Sequence, residues 1–320
     1  MRAMAAGLCV LVVAASAAHA AADYPVRQIT LVVPFAAGGS NDIVARAIGK
    51  KLNEAWGQPV VIDNRAGAGG VIGAASVASA PADGHTLLLV SSTFTINAAV
   101  KTRLPFDTVA SFVPVAQVGR APLLLAAANA LPARSVADLV ALARQKPGTI
   151  TYGSSGPGSI NQIAIELFAG AAGIRLVHVP YRGGAPAIND LVGGHVDLYL
   201  SSMPQILPIV RAGSAKALAV TGRKRAPALP DVPTLDEAGV AGYEAGSWWG
   251  IVAPAETPSD TVAMLNDEIN KALATEEMAR FFAQEGAEPA PLTPEAFGAL
   301  IRSEIQRWEK VAREANIHVD

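Results

Sequence analysis

Short apolar runs alternate with amphipathic runs along this chain, and this alternation constrains the fold more than any other feature. Residues 29–35 and 60–63 are apolar enough for buried strands, and residues 42–56 between them have helical spacing. A further helix over 70–80 and a strand over 86–90 continue the pattern. Repeated strand–helix–strand units form parallel sheets that are covered by helices on both faces. The sequence therefore predicts an α/β protein.

The same alternation restarts after a less regular stretch at residues 97–114. In this second part we predict strands over 115–128 (broken at Pro122), 149–153, 176–180, 196–201 and 217–221, and helices over 135–144 (with Ser135 as N-cap), 160–171, 185–192 and 205–212. This alternation of strands and helices matches that of the first part, so the chain is expected to form two α/β lobes of similar build.

The last hundred residues are predicted to return to the first lobe. Residues 222–246 have the Pro, Gly and Ala content of a surface connection, and they precede a strand at 248–253 and two helices at 259–284 and 294–316. One strand with two helices cannot complete a sheet of its own. The expected division is lobe 1 over 23–120, lobe 2 over 121–220 and a return to lobe 1 over 221–320. Two crossings, near Gly119 and Thr221, would form a hinge.

The first 22 residues have the features of a signal peptide. Arg2 gives a positive start, residues 8–15 are apolar, and residues 18–20 (AHA) provide the small residues that signal peptidase recognises. The apolar stretch is shorter than the roughly 20 residues of a membrane-spanning helix. We therefore expect export to the periplasm, with cleavage near residues 20–22, rather than a membrane anchor. Cleavage would also remove Cys9, the one cysteine of the chain.

The charge of the chain argues against nucleic acid as a partner. The sequence has 25 basic and 27 acidic residues, for a formal net charge of -2, and its Lys and Arg residues are scattered rather than gathered in a stripe. Proteins that bind phosphate backbones present clustered positive charge. We therefore look for a small-molecule site instead.

Two glycine- and serine-rich loops stand between a predicted strand and a predicted helix, one in each lobe. They are residues 34–42 (PFAAGGSND) and 152–159 (YGSSGPGS). Such loops leave amide N–H groups free at the positive end of a helix dipole, which binds anions. The plainer alternative is a turn in which Ser40 or Asp42 caps the helix. Because ligands of open α/β sheets collect at the carboxyl ends of the strands, we predict one shared cleft for a small carboxylate.

Three further segments at predicted strand ends add candidates: residues 91–93 (SST), 181–184 (YRGG) and 201–202 (SS). Arg182 could pair with a carboxylate or remain a solvated surface arginine, and Tyr181 could form a wall of the cleft or pack in the core. The predicted ligand-binding residues are Phe35, Ala36, Ala37, Gly38, Gly39, Ser40, Asp42, Ser91, Ser92, Ser154, Ser155, Gly156, Ser159, Tyr181, Gly183, Gly184 and Ser201.

Enzyme motifs are incomplete in this sequence. The G-x-S-x-G elbow lacks its last glycine around Ser155, no glycine loop is followed by a Walker A lysine, and residues 67–72 (GAGGVI) lack the third glycine of a dinucleotide fingerprint. The histidines are scattered without metal-ligand spacing. We therefore predict no catalytic residue, metal or cofactor. The alternative from another class is a secreted hydrolase or isomerase that uses Ser155 or Ser159 with His178.

Six motifs in order resemble those of the tripartite tricarboxylate transporter receptor family, also called Bug proteins. They are residues 34–39 (PFAAGG, preceded by the Tyr24-Pro25 pair), 61–70 (VIDNRAGAGG), 83–87 (DGHTL), 152–159 (YGSSGPGS), 179–184 (VPYRGG) and 249–254 (WGIVAP). The resemblance covers essentially the whole chain after the predicted signal peptide. It departs from the family at Ala66, where relatives often carry proline, and this concerns a turn rather than the site.

The resemblance implies a type II-like periplasmic-binding-protein fold, a "Venus flytrap" whose two α/β lobes close by a hinge on a ligand in the cleft between them. It implies that backbone amides and ordered waters hold the ligand carboxylate, so Arg182 contributes little and Asp42 acts as a helix cap, unless Asp42 contacts the ammonium group of an amino acid. The implied ligand is a di- or tricarboxylate, an acidic amino acid or an aromatic carboxylate.

The partner implied by the resemblance is a membrane permease of one large and one small integral subunit, to which a monomeric receptor delivers its ligand. A role as ligand sensor for a membrane receptor kinase is the alternative, since the sequence does not separate signalling from transport.

Overall fold

The computed structural model describes residues 24–314, so the predicted signal peptide and its cysteine lie outside the described residues. Ten strands run through this part of the chain: β1 (Ile29–Val33), β2 (Val60–Asn64), β3 (Thr86–Ser91), β4 (Phe112–Ala128), β5 (Thr151–Ser154), β6 (Val177–Pro180), β7 (Leu198–Ser202), β8 (Ala215–Val220), β9 (Gly246–Pro254) and β10 (Glu288–Pro289). The α-helices of the same residues are α1 (Ser40–Trp56), α2 (Val71–Ala78), α3 (Ser92–Val100), α4 (Val136–Gln145), α5 (Ile160–Ala172), α6 (Gly184–Gly193), α7 (Met203–Arg211), α8 (Ser259–Leu273), α9 (Glu276–Gln284) and α10 (Pro294–Glu314).

The strands form two groups that are joined through β4. The first group has the order β2-β1-β3-β9-β4, with β10 beside β4, and the second has the order β4-β7-β5-β6, with β8 also on β4. β1, β2 and β3 pair in parallel, as do β5, β6 and β7, because helical crossovers connect them. β4 and β9, which stand where the chain passes between the groups, are antiparallel to their neighbours. Each group is therefore a mixed sheet with a parallel outer part.

Strand β4 continues through Pro122, where the sequence predicted a break. Up to Pro122 the strand pairs with β9, ending opposite Gly246, and from Leu123 it pairs with β7, starting opposite Ser202. Proline lacks the N–H that a sheet interior needs. At Pro122 one partner strand ends and another begins, so the missing donor interrupts neither ladder. The proline marks the passage from one sheet to the other.

A buried threonine joins the two segments that cross between the sheets. The hydroxyl of Thr221 accepts a hydrogen bond from Leu123 N–H at 2.8 Å and donates to the carbonyl of Ala245 at 2.6 Å. Between these crossings, residues 222–245 pack on the second sheet through Leu235 and Tyr243. The division of the chain at 221 stays a prediction, and these contacts favour a return to the first sheet nearer to residue 246.

Two helical elements differ from the predictions. Helix α3 falls partly in the stretch that was expected to be irregular, and its residues (STFTINAAV) include several with strand preference. Its first six residues are all buried, so the polar face that reveals a helix in a sequence is missing. The predicted helix over 259–284 is two helices, because Thr275 begins α9 by accepting a bond from Met278 N–H. Ser135 caps α4, as predicted.

No helix in the part of the chain that the structure describes is long and apolar enough to cross a membrane.

Candidate functional site

One cavity lies at the carboxyl ends of strands from both sheets, where five helices begin. The cavity, its mouth included, encloses about 370 Å³. Its lining residues are Phe35, Gly39, Ser40 and Asn41 at the start of α1, Ser91 and Thr93 at α3, Ser155, Ile160 and Asn161 at α5, Gly184 at α6, Ser202 and Gln205 at α7, and Ser247 of β9. The glycine loops that the sequence singled out in separate lobes therefore face one shared space.

The helices that begin at this cavity are not capped by their own N-cap side chains. For α1, α3, α5, α6 and α7 these residues are Gly39, Ser91, Ser159, Gly183 and Ser202, and none of the five makes a side-chain capping bond. Of the helices that do not line the cavity, α4 and α9 have the usual bond, accepted by Ser135 and Thr275, while α2 and α8 also lack a side-chain cap. Five positive dipole ends without an N-cap side-chain acceptor make the cavity suitable for an anion.

The predicted capping of α1 by Ser40 or Asp42 is wrong, because the helix begins at Ser40 and its N-cap is Gly39. Asp42 does not line the cavity either. Its carboxylate accepts hydrogen bonds from Gly38 N–H at 2.9 Å, Arg46 at 2.9 Å and Asn64 at 3.0 Å. Burial raises the pKa of the Asp42 carboxyl, but these hydrogen bonds outweigh burial and hold the pKa below its usual value.

The lining residues that the structure describes are all uncharged. Hydroxyl groups, carboxamides and main-chain amides are the polar groups that face the space. Such groups bind an anion through oriented dipoles and hydrogen bonds rather than through a formal positive charge. Arg182 lies outside this cavity, at a separate groove on the rim.

Some of the predicted ligand-binding residues line the cavity and the others surround it. The lining ones are Phe35, Gly39, Ser40, Ser91, Ser155 and Gly184. The residues that do not line it are Ala36, Ala37, Gly38, Asp42, Ser92, Ser154, Gly156, Ser159, Tyr181, Gly183 and Ser201. Two causes recur: Ala37 and Gly38 are exposed on the outside of their turn, and the hydroxyls of Ser92 and Tyr181 already have partners, whereas the buried hydroxyl of Ser159 has none among the described residues. Ser92 accepts from Trp248 N–H at 3.0 Å, and Tyr181 donates to Asp190.

The loops of the two sheets touch across the cleft. A Cβ atom added to Gly69 would lie 2.3 Å from the carbonyl oxygen of Pro157, and one added to Gly183 would lie 2.9 Å from the amide nitrogen of Ala36. A hydrogen bond also crosses the cleft at 3.2 Å, from the N–H of Ile160 to the hydroxyl of Thr93. Backbone meets backbone at the two glycines, so the loops of the two sheets are in direct contact in this structure.

Several lining residues escaped the sequence analysis. Asn41, Ile160, Asn161, Gln205 and Ser247 were not among the candidates, and Thr93 and Ser202 lay in segments that were noted without being selected. Asn41 and Asn161 lie in the first turn after a glycine loop, a position that could have identified them. Asn41 accepts from Trp249 Nε1 at 3.2 Å, and Asn161 donates to the carbonyl of Leu200 at 2.7 Å.

The hydrolase alternative requires Ser155 or Ser159 beside His178, and neither pair is hydrogen-bonded among the described residues. His178 Nε2 lies 2.6 Å from the hydroxyl of Ser154, which is fully buried. The hydroxyl of Ser155 donates to Asn161 instead. Burial lowers the pKa of His178, whose ring stacks on Tyr152. The histidine is thus part of a packed, hydrogen-bonded cluster with no accessible nucleophile.

The fold and the cavity define the class of protein. Two α/β lobes with a cleft between them are the architecture of periplasmic binding proteins, and the solved structure of the periplasmic binding protein BugD matches with a TM-score of 0.89 at 34% identity, over 92% of this chain and 99% of that one. The predicted fold class is confirmed. Residues 44–317 match TctC, the tripartite tricarboxylate transporter family receptor. The chain belongs to this family, as the six motifs indicated.

Characterised relatives are similar along nearly their whole length. BugT of Bordetella pertussis is 38% identical over 301 residues, which are 93% of this chain and 92% of that protein. A protein of R. palustris solved with adipate is 41% identical with a TM-score of 0.90, over 92% of this chain and 99% of that one. MatC from Rhodopseudomonas palustris, solved with bound malate, is 34% identical with a TM-score of 0.86, over 90% of this chain and 99% of that one.

Proposed function

We propose that this chain is a periplasmic receptor that captures a small organic carboxylate between its lobes and is not an enzyme. The observation that carries the proposal is the convergence of five helix amino termini on one uncharged cavity. A carboxylate is compact and accepts several hydrogen bonds at once, so it matches a cluster of free N–H donors at positive dipole ends. The family to which the chain belongs is one of receptors for such solutes.

The proposed ligand-binding residues combine the predicted and the newly located lining groups. Donors from the first sheet are those at the start of α1 and α3, and donors from the second are those at α5, α6 and α7. The full set of residues proposed to contact the ligand is Phe35, Gly39, Ser40, Asn41, Ser91, Thr93, Ser155, Ile160, Asn161, Gly184, Ser202, Gln205 and Ser247. Residues of both sheets would touch the ligand, so binding would favour the closed lobes.

The proposed ligand is a dicarboxylate of adipate or malate size. Two relatives have been solved with these acids. Among the residues that the structure describes, no carboxylate lines the cavity to neutralise an ammonium group. Asp42, the one acidic candidate, is already compensated by Arg46 and Asn64. An amino acid would therefore leave its positive charge without a partner in the cleft.

We further propose that the chain is exported, that its two lobes move about a hinge, and that it delivers its ligand to a membrane transporter. Export rests on the predicted signal peptide, and the hinge would lie where β4 passes Pro122 and the return crossing passes Ala245, which Thr221 links. The family description supports delivery of the ligand to a membrane transporter, and the resemblance implies that this transporter is a permease of one large and one small integral subunit. Receptor-dependent uptake of labelled ligand by cells would test delivery, and ligand-dependent gene expression without uptake would favour a sensor.

Ligand binding is tested by thermal unfolding and calorimetry with adipate, malate, citrate, benzoate and glutamate. A ligand at a hundredfold excess over its dissociation constant should raise the unfolding free energy by about 2.7 kcal/mol. No response from any acid in the panel would refute the proposal. The ligand recovered after incubation should be chemically unchanged, and a product that disappears in Ser155→Ala would show an enzyme instead.

A further inference from the structure

A glutamine side chain in the cavity has no acceptor for its amide hydrogens. Gln205 lies in the first turns of α7, is 8% exposed and lines the cavity. Its Oε1 accepts a hydrogen bond from the hydroxyl of Ser201 at 3.1 Å. Among the residues that the structure describes, Nε2 has no hydrogen-bond partner. A buried donor without a partner lowers stability and needs an explanation, and at a cavity an acceptor on a ligand is one.

The amide group of Gln205 lies between the glycine turns of the two sheets. A Cβ atom added to Gly184 would lie 2.1 Å from Nε2, and one added to Gly39 would lie 4.0 Å from it. Only a glycine at position 184 leaves room for the amide to reach this place. Nε2 therefore stands where donors from both sheets converge, beside the start of α1 and the start of α6.

We propose that Gln205 is a specificity-determining residue that donates a hydrogen bond from Nε2 to a carboxylate oxygen of the ligand, with Ser201 as the residue that positions it. This inference rests on the proposed function. An NH₂ group offers two donors and no acceptor, so it binds a carboxylate oxygen and disfavours an ammonium group at the same place. The bond that Ser201 donates to Oε1 leaves Nε2 as the end of the carboxamide that has no partner among the described residues.

The experiment compares Gln205→Met and Gln205→Glu with the unaltered exported protein, by calorimetry with adipate and with malate. Gln205→Met keeps the size of the side chain and removes the donor. A lost hydrogen bond to a charged acceptor should weaken binding about 10- to 100-fold. Gln145→Met, at an exposed position at the end of α4, controls for the methionine itself and should bind like the wild type.

Gln205→Glu gives the pH readout that a merely structural role would not produce. At pH 9 the new carboxylate repels the ligand carboxylate, and binding should be at least about 100-fold weaker than in the wild type at that pH. As the pH falls to the usual glutamate pKa of about 4.3, protonation makes the new carboxyl a donor, and the deficit relative to the wild type at the same pH should shrink to about 10-fold or less. The Gln205→Met deficit should be the same at both pH values.

The outcomes separate this inference from the proposed function. If the wild type binds an acid and Gln205→Met binds it equally well, the role of Gln205 is refuted while the carboxylate receptor stands. The role is also refuted if Gln205→Met loses affinity only in proportion to a lowered unfolding temperature without ligand, because that would indicate a structural side chain. If the wild type binds no acid of the panel, both proposals fail.

Discussion

Replacing Gly69 by alanine should weaken ligand binding without a matching loss of fold stability. Gly69 has a positive φ of 65°, and its missing Cβ would lie 2.3 Å from the carbonyl oxygen of Pro157 across the cleft. Cβ atoms essentially never approach another heavy atom within 3.0 Å, so the two loops would have to separate by most of an ångström. Both partners are backbone, and no side-chain rotation relieves the overlap.

The free-energy cost of Gly69→Ala has two parts, one that lowers fold stability and one that lowers ligand affinity. A non-glycine residue at positive φ costs about 1 kcal/mol whether the lobes are open or closed, so this part lowers stability and leaves affinity unchanged. The overlap with Pro157 arises only on closure and should cost about 1–3 kcal/mol, as overpacking does. That cost corresponds to about a 5- to 150-fold rise in the apparent dissociation constant.

Gly57→Ala is the matched control. Gly57 also has a φ of 65°, and a Cβ added there meets nothing within 4 Å. Calorimetry with the best-binding acid, together with thermal unfolding, should show both variants destabilised by a similar amount and only Gly69→Ala impaired in binding. Wild-type affinity in Gly69→Ala would refute the reasoning, because it would show that the liganded protein does not require this contact.

Three further changes test the site and its surroundings. Thr93→Val removes the acceptor for Ile160 N–H, so calorimetry should show about 10-fold weaker ligand binding, with wild-type affinity in Thr93→Ser. Burial holds the pKa of His178 below its usual value of about 6.5, so the unfolding free energy should fall as pH drops below that value, and His178→Gln should flatten the fall. The pKa of Asp42 is lowered, so its contribution to stability should be lost only at lower pH. Asp42→Asn should lower the unfolding free energy by about 1–2 kcal/mol at pH 7 and by little at a pH below the usual carboxyl pKa, and it should leave the ligand affinity unchanged.

The sequence predicted the regular elements well where one face of the element is polar. Helix α4 and its cap at Ser135 could be predicted because polar and apolar residues alternate with helical spacing. Helix α3 could not, because burial on nearly all sides leaves no polar stripe. Pro122 was interpreted as a break because local chemistry forbids proline in a sheet interior, and only the tertiary fold reveals that two partner strands change over at that residue.

The site was predictable as a pair of loops and not as a set of side chains. Glycine and serine after a strand identify where a helix begins, so the loops around Gly39 and Ser155 could be located from the sequence. Which residue of a turn faces inward depends on the angle at which the loop enters the helix, and adjacent residues such as Ser91 and Ser92 differ in this. Gln205 reaches the cavity only because Gly184, some twenty positions earlier, has no side chain.

If the chain is the proposed receptor, the absence of lining charge in the described cavity makes ligand binding depend on lobe closure. A single helix terminus exposed to water stabilises an anion by only about 0.3–1 kcal/mol. Closure expels water from the cleft, and the same dipoles then act at a lower dielectric constant, where each hydrogen bond is stronger. Donors of α1 and α3 stand on one sheet and those of α5, α6 and α7 on the other, so neither lobe has the whole set. A ligand that contacts both sets stabilises the closed form over the open one, and a side chain that holds the glycine loops apart weakens binding even though it never touches the ligand.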